Sequence, residues 1–540
     1  MKKLAMLLVV VVCLGATAFA DDEGHHHEEM TAQQLGTVHF PVSCNAAAQK
    51  DFEHGVALLH SFWYEEAEKQ FGQVLQDDPA CAMAEWGIAM SKWHELWNEP
   101  DKQTIKEGLA AVEKGESLKP KTARERAYLE AIEAFYENSK KKDHQARATA
   151  YSNAMEKVYK SYPDDHEAAI FYALSLLASE PDHDTTFVNR KKAAAILEPL
   201  FASEPNHPGV AHYLIHSYDK PQLAELGLPA AKSYAKIAPA APHALHMPSH
   251  IFARVGDWQD DINSNLASID ATRKTAAMHM GGEGHQFHAM DFLIYAYLQS
   301  GHEAEAWKVI EEVNNMPDMP DMGHLGFDPR VYGQTKFPAM YDLELHHWSE
   351  AAQLKPVKDA TLGNQALTYW ARAIGAARSG QIDEAKKDMA ELSKIHEQMV
   401  QAKRPDLKYV EDSISAEQKQ AGAWLAHAEG NDEAATKALR ELAETEEREG
   451  DEPADIPSRE MLADMLLEMK KPQQALVEYQ ASLKFNPNRF NSLYGAGQAA
   501  ELAGKSSEAS GYFAQLVKEC AGSSSDRPEL AKAKGLVAAK

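Results

Sequence analysis

Histidines at helical spacing are the residues of this chain best suited to chemistry. Pro208 is followed by His212 and His216, and Pro242 by His246 and His250 at the same offsets, with His243 directly after Pro242. A spacing of four residues puts two imidazoles on one face of a helix, one turn apart. His285, His288, Asp291 and Tyr295 follow on a further helical stretch. Imidazole pairs at this spacing suit zinc or copper, with His212, His216, His246 and His250 as ligands. The same groups suit recognition of a peptide or small molecule, with the Arg254 guanidinium forking onto an acidic group. They equally suit packing inside the fold, where buried imidazoles satisfy helix ends. The sequence leaves all three roles open.

Two further groups have chemical potential. Met278 and Met280 flank His279, and Met316, Met319 and Met322 precede His324. Thioethers favour Cu(I), although the second run also reads as a Pro-broken loop. Trp86, Trp93 and Trp97 share a helix face by spacing. They read either as core packing or, with His60, as a stacking platform.

The elements that must hold these residues are helical hairpins. Ser458 to Pro487 and Asn488 to Cys520 each carry an apolar helix, a short break, and then an alanine and an aromatic on a second helix: Ala475 with Tyr479, and Ala509 with Phe513. Similar units run back to Ala46 with a period near ~34 residues. Gly256, Gly301, Gly380, Gly430 and Gly504 stand at the breaks, where a helix ends in the left-handed conformation. No useful strand-like alternation occurs. These units resemble tetratricopeptide repeats over nearly all of the chain after the leader. His39 to Ala67 and His243 to Leu266 resemble a family of exported bacterial repeat proteins of this kind.

The resemblance implies an all-α, right-handed α-solenoid of tetratricopeptide-like hairpins. It also implies that first helices face a concave groove, which in such solenoids binds a partner. First helices of adjacent repeats pack ~8–10 Å apart. His212, His216, His243, His246 and His250 are therefore expected to form one patch lining that groove, joined by Arg254, His288, Asp291 and Tyr295.

The expected organisation is a signal peptide over 1–20, a disordered His-rich segment over 21–40, and a solenoid with a His-lined groove over 41–315. A Pro/Met-rich linker or loop over 316–338 and a second solenoid over 339–540 follow. Lys2 and Lys3, the apolar run Leu4 to Leu14 and Ala18-Phe19-Ala20 form an export signal. A bacterial, periplasmic or secreted location follows. In that oxidising setting Cys44 and Cys81 are candidates for a disulfide.

The 540 residues carry 55 basic and 81 acidic side chains, a net charge of -26, without a basic stripe. A nucleic-acid partner is not expected, because phosphate neutralisation needs clustered Lys and Arg. No membrane span is expected. The motifs G-x-S-x-G, G-x-x-x-x-G-K-[ST] and H-E-x-x-H are missing from the sequence, so catalysis is not indicated. The expected function is an exported, non-enzymatic scaffold for a peptide, protein or envelope partner, with no required cofactor. The alternative is a periplasmic protein binding Cu or Zn through the groove histidines, and a metal-dependent hydrolase ranks third.

Overall fold

The structure, a computed structural model, describes residues 31–94, 96, 99–278, 280, 284–317, 328–404, 407–450 and 454–538. Every regular element among them is an α-helix. The fold is an all-α solenoid of tetratricopeptide-like hairpins. Small residues opposite aromatic ones explain why consecutive helices pack so closely. A Cβ on Gly495 would lie 2.2 Å from the Tyr479 ring, and one on Gly497 would lie 2.6 Å from Phe513. Buried Ala475 and Ala509 complete these contacts.

Three continuous cores follow the chain. One runs from Leu35 to Phe252 and takes in Met280. A second runs from Ala253 to Phe337 with Ala454, and a third from Ala339 to Ala533. The first core begins inside the segment expected to be disordered. Leu35, Val38 and Phe40 are buried, because Phe40 packs against Phe52, Trp86 and Tyr128 under the Arg124 guanidinium. Residues 21–30 lie outside the described residues. The expected linker is also shorter than 316–338. Residues 318–327 lie outside the described residues, and a helix already runs over Pro329–Glu344, capped by Asp328 and burying Val331, Thr335 and Phe337.

Two closures remove the open groove expected near the histidines. The first arc folds back on itself. Thr37 N–H donates to the Asn206 carbonyl at 2.9 Å, and Ala240 N–H donates to that of Gln34 at 3.0 Å. The end of the Ala46–His60 helix thereby meets the Pro208–Tyr218 helix. Gly209 permits this approach, since a Cβ there would lie 2.5 Å from His60 Nδ1.

The second closure docks the C-terminal arc onto the middle of the chain. Buried Arg489 donates to Glu344 and Glu460, each at 2.7 Å, and to the Tyr295 hydroxyl at 2.9 Å. Trp258 Nε1–H donates to the Asn488 carbonyl at 3.1 Å. Gly256, with φ of +70°, sits against the backbone of Pro487. Cys44 and Cys81 form a disulfide that links the first two hairpins. Among the described residues no helix is long and apolar enough to cross a membrane.

Candidate metal centre

Four helices carry the histidines. Pro208 opens the helix Pro208–Tyr218, preceded by His207, whose Nδ1 accepts from Val210 N–H. Pro242 opens Pro242–His246, and Pro248 opens Pro248–Val255 directly after Met247. Proline is tolerated in a first turn but removes a hydrogen bond within a helix, so the chain bends between His246 and His250. Gly284–Gln299 supplies His285 and His288.

These elements bring six imidazoles into two triads. His212 Nε2 lies 3.0 Å from His216 Nε2 and 3.1 Å from His243 Nε2. His250 Nε2 lies 3.1 Å from His246 Nε2 and 3.3 Å from His288 Nε2. Within each triad, one nitrogen from every ring lies within 4.8 Å of the others. A tetrahedral metal with bonds of about 2.0–2.1 Å to nitrogen has N···N edges of ~3.3 Å.

The outer nitrogens fix which inner nitrogens can bind a metal. His212 Nδ1–H donates to the His60 carbonyl at 2.7 Å. His246 Nδ1–H donates to Asn265 Oδ1 at 2.7 Å, and His250 Nδ1–H to Asp219 Oδ2 at 2.9 Å. The Asn265 orientation is set by its amide, which donates to Asp261 Oδ1 at 2.6 Å. A neutral imidazole protonated at Nδ1 presents a bare lone pair at Nε2. The Nε2 atoms of His212 and His246 therefore each present a lone pair to the other rings of their triad. A cation can be ligated by all three Nε2 atoms of a triad, and the outer hydrogen bonds of His212, His246 and His250 are of the kind that orients metal-ligating histidines.

Burial keeps His212, His216, His243 and His246 neutral. His212, His216, His243 and His246 are 0%, 7%, 2% and 1% exposed. Burial pushes His212 down to about 3, with the His60 carbonyl opposing it only in part. Burial, then neighbouring imidazoles, holds His216, His243 and His246 well below the usual histidine range. For Asp219, burial alone would raise the carboxyl, yet Arg254 and His250 hold it well below its ordinary value.

Each triad rests on a phenylalanine. The Phe62 ring lies 4.3, 5.7 and 5.4 Å from the rings of His212, His216 and His243. Phe292 lies 5.1, 4.6 and 5.2 Å from those of His246, His250 and His288. Phe62 reaches its place with φ of 53°, a left-handed conformation that bulky residues seldom adopt and that concentrates at functional sites.

Other expected site residues have different partners. Arg254 is 6% exposed and donates to Asp219 Oδ1 at 2.9 Å, so it braces His250 instead of meeting a ligand. Asp291 pairs with Lys336 at 2.8 Å and accepts from the Tyr332 hydroxyl. Tyr295 belongs to the Arg489 lock between the arcs. Trp86 and Trp93 are fully buried core residues and form no platform, and Trp97 lies outside the described residues. His60 is equally buried. Its Nδ1 meets the Tyr213 hydroxyl, and its Nε2 meets Glu167 Oε2 at 3.0 Å.

Glu167 takes His207 Nε2 on its other oxygen at 2.8 Å. Each of these imidazoles therefore has its own oxygen, which is hydrogen-bond geometry. His279, Met319, Met322, His324 and the His25–His27 run lie outside the described residues. Asp219, Asn265, Glu167, Phe62 and the His60 carbonyl were not among the expected site groups.

No protein-family model and no curated protein matches the chain. Among solved structures it is similar to a human IFIT1 dimer with m7Gppp-AAAA, at 13% identity and a TM-score of 0.34, over 85% of this chain and 95% of that one. It is also similar to a monomeric IFIT1 mutant with Gppp-AAAA, at 11% identity and a TM-score of 0.38, over 90% and 98% of the two chains. The RNA in those complexes belongs to those proteins.

Proposed function

We propose that this is an exported metal-binding protein. It holds copper or zinc on His212, His216 and His243, and on His246, His250 and His288. The observation that carries the reading is the convergence of three Nε2 atoms in each triad, with a carbonyl, an amide and a carboxylate oxygen holding the outer protons of His212, His246 and His250. This reading takes precedence over capture of a peptide or protein at these histidines, because Phe62 and the returning Ala46–His60 helix fill the groove there. It also takes precedence over hydrolysis, because Asp219, the carboxylate beside the second triad, is already engaged by Arg254 and His250. An export signal at the N-terminus and the Cys44–Cys81 bond support a location outside the cytosol.

The test is elemental analysis of native, tag-free protein lacking residues 21–30, followed by titration with Zn(II) and Cu(I). Two equivalents are expected per chain, and both should vanish in the His212/His216/His246/His250 quadruple alanine variant. Absence of bound metal, or weak binding that the four changes leave untouched, overturns the reading.

A further inference from the structure

The second triad has an exposed ligand, His288, by which an ion can arrive. The first triad has none, because His212, His216 and His243 are all buried. An ion reaches it only past a neighbouring side chain. Among the described residues, Phe62, Tyr213, Tyr234 and His246 stand ring to ring against it, and all four are themselves buried. His285 also stands against it and is only half-buried. Its ring lies 5.0 Å from that of His243, the separation that His212 keeps from His243 inside the triad.

Helix register supports a ligand role for His285. Pro208, Pro242 and Gly284 each open a helix. Four residues on stand His212, His246 and His288, each in a triad. One residue on stand Gly209, His243 and His285. His285 therefore holds on its helix the position that His243, a member of the first triad, holds on Pro242–His246.

The chain leading into that helix is held beside the same triad. Trp63, next to Phe62, donates its Nε1–H to the Met280 carbonyl at 3.0 Å. Met280 is buried in the first core, whereas Met278 is 48% exposed. Thioethers favour Cu(I). An exposed thioether, a buried thioether and a half-buried imidazole thus follow one another along the chain.

Building on the metal-binding reading, we propose that His285 is the entry ligand of the first triad, and that Met278 and Met280 supply it with Cu(I). The ion moves by ligand exchange. A bond to the His285 imidazole forms as the bond to a thioether sulfur breaks, and bonds to His243, His212 and His216 then replace it. The ion keeps its charge and no electron or proton moves. Zn(II) follows the same route from His285 onward, without the thioethers.

The experiment follows the time course of buffered Cu(I) uptake, and separately of Zn(II) uptake, by the metal-free full chain. Two phases are expected, and His288→Ala should lose the fast one, which assigns it to the second triad. His285→Phe keeps a ring against His243 but removes the donor nitrogens. It should lose the slow phase for both ions and reach two equivalents only on long standing. His285→Cys supplies a different donor and should restore the slow Cu(I) phase. Met278→Leu with Met280→Leu should lose that phase for Cu(I) and keep it for Zn(II). Uptake in a single phase, a slow phase that survives His285→Phe, or equal losses in His285→Phe and His285→Cys overturn the entry role and leave the metal reading standing. A His285→Phe chain that never exceeds one equivalent shows a resident ligand and overturns it too. A slow Cu(I) phase unchanged in the methionine variant overturns the part given to the thioethers. Failure of the unaltered chain to retain copper or zinc overturns both readings.

Discussion

The two triads use the same ligands in different surroundings. The His212 triad is buried. Its anchor is a backbone carbonyl, that of His60, which no side-chain substitution can remove. Phe62 and Tyr234 close over it. The His246 triad is anchored by side chains, Asn265 and Asp219, and its third ligand, His288, is exposed. The difference separates holding from exchange. A ligand set braced by the backbone and buried in aromatic rings is suited to retain an ion, whereas one braced by side chains at an open edge is suited to admit one.

The sharpest way to break that contrast is to remove the support behind the sealed triad. Glu167 is buried between His60 and His207, and those two imidazoles override the effect of burial to hold its carboxyl far below the usual range. Burial keeps His60 uncharged, and a buried imidazole left without its hydrogen-bond partner costs about 1–3 kcal/mol. Glu167→Ala should lower stability by that amount in chemical denaturation and loosen the first site before the second. Unchanged stability would mean that the His60 carbonyl is held by packing alone.

The contrast between the ligands themselves comes next. In metal-free protein His212→Ala removes a buried, stacked ring and should cost about 2–4 kcal/mol, as large-to-small core changes do. His288→Ala should stay within about 0.5 kcal/mol, as surface changes do. Each should lower metal stoichiometry from two to one. The stability gap for His212→Ala should also close in acid. Burial holds His212 neutral down to about 3, whereas the unfolded chain protonates it near its ordinary value of 6.5. The unfolded state then binds more protons, and the contribution of His212 is lost as pH falls through that window. Buried carboxyls pushed upward, such as Asp464 at about 6, act in the opposite sense. They are common to both proteins and cancel in the difference. A gap that is constant from pH 7.5 to pH 4 would show that His212 is not a buried neutral group.

How far the sequence carried this site follows from what its periodicity encodes. Spacing of four within a helix assigns a face, so His212 with His216 and His246 with His250 were legible as pairs. The apolar period and the Gly breaks made the hairpins legible for the same reason. What a face meets is decided by the superhelix. Phe62 and the His60 carbonyl reach His212 from about 150 residues away along the chain only because the first arc closes on itself. Asp219 and Asn265 carried no signal, since carboxylates and amides are common and neither lies at helical spacing from the histidine it anchors. The aromatic spacing of Trp86 and Trp93 was real, but it marked core packing, which has the same period as a binding face.

The smallest effects test the second triad most directly. Asn265 Oδ1 and Asp219 Oδ2 each hold one imidazole by its outer N–H. Removing such a partner frees the ring to rotate and lowers its basicity, typically for 10–100-fold in metal affinity. Asn265→Ala and Asp219→Asn should each weaken one of the two sites by that factor and leave the other unchanged. Asp219→Asn has a second consequence. It leaves the Arg254 guanidinium, which is 3% exposed in its side chain, beside His250 without its carboxylate. A positive charge close to the metal then opposes the ion itself, so Asp219→Asn should weaken the site more than Asn265→Ala, and more for a divalent ion than for Cu(I). Competitive titration of both variants with Zn(II) and Cu(I) reads this directly. Equal losses for the two ions would mean that Asp219 acts by orienting His250 alone, and a loss spread over both sites would remove the distinction between a sealed triad and an open one.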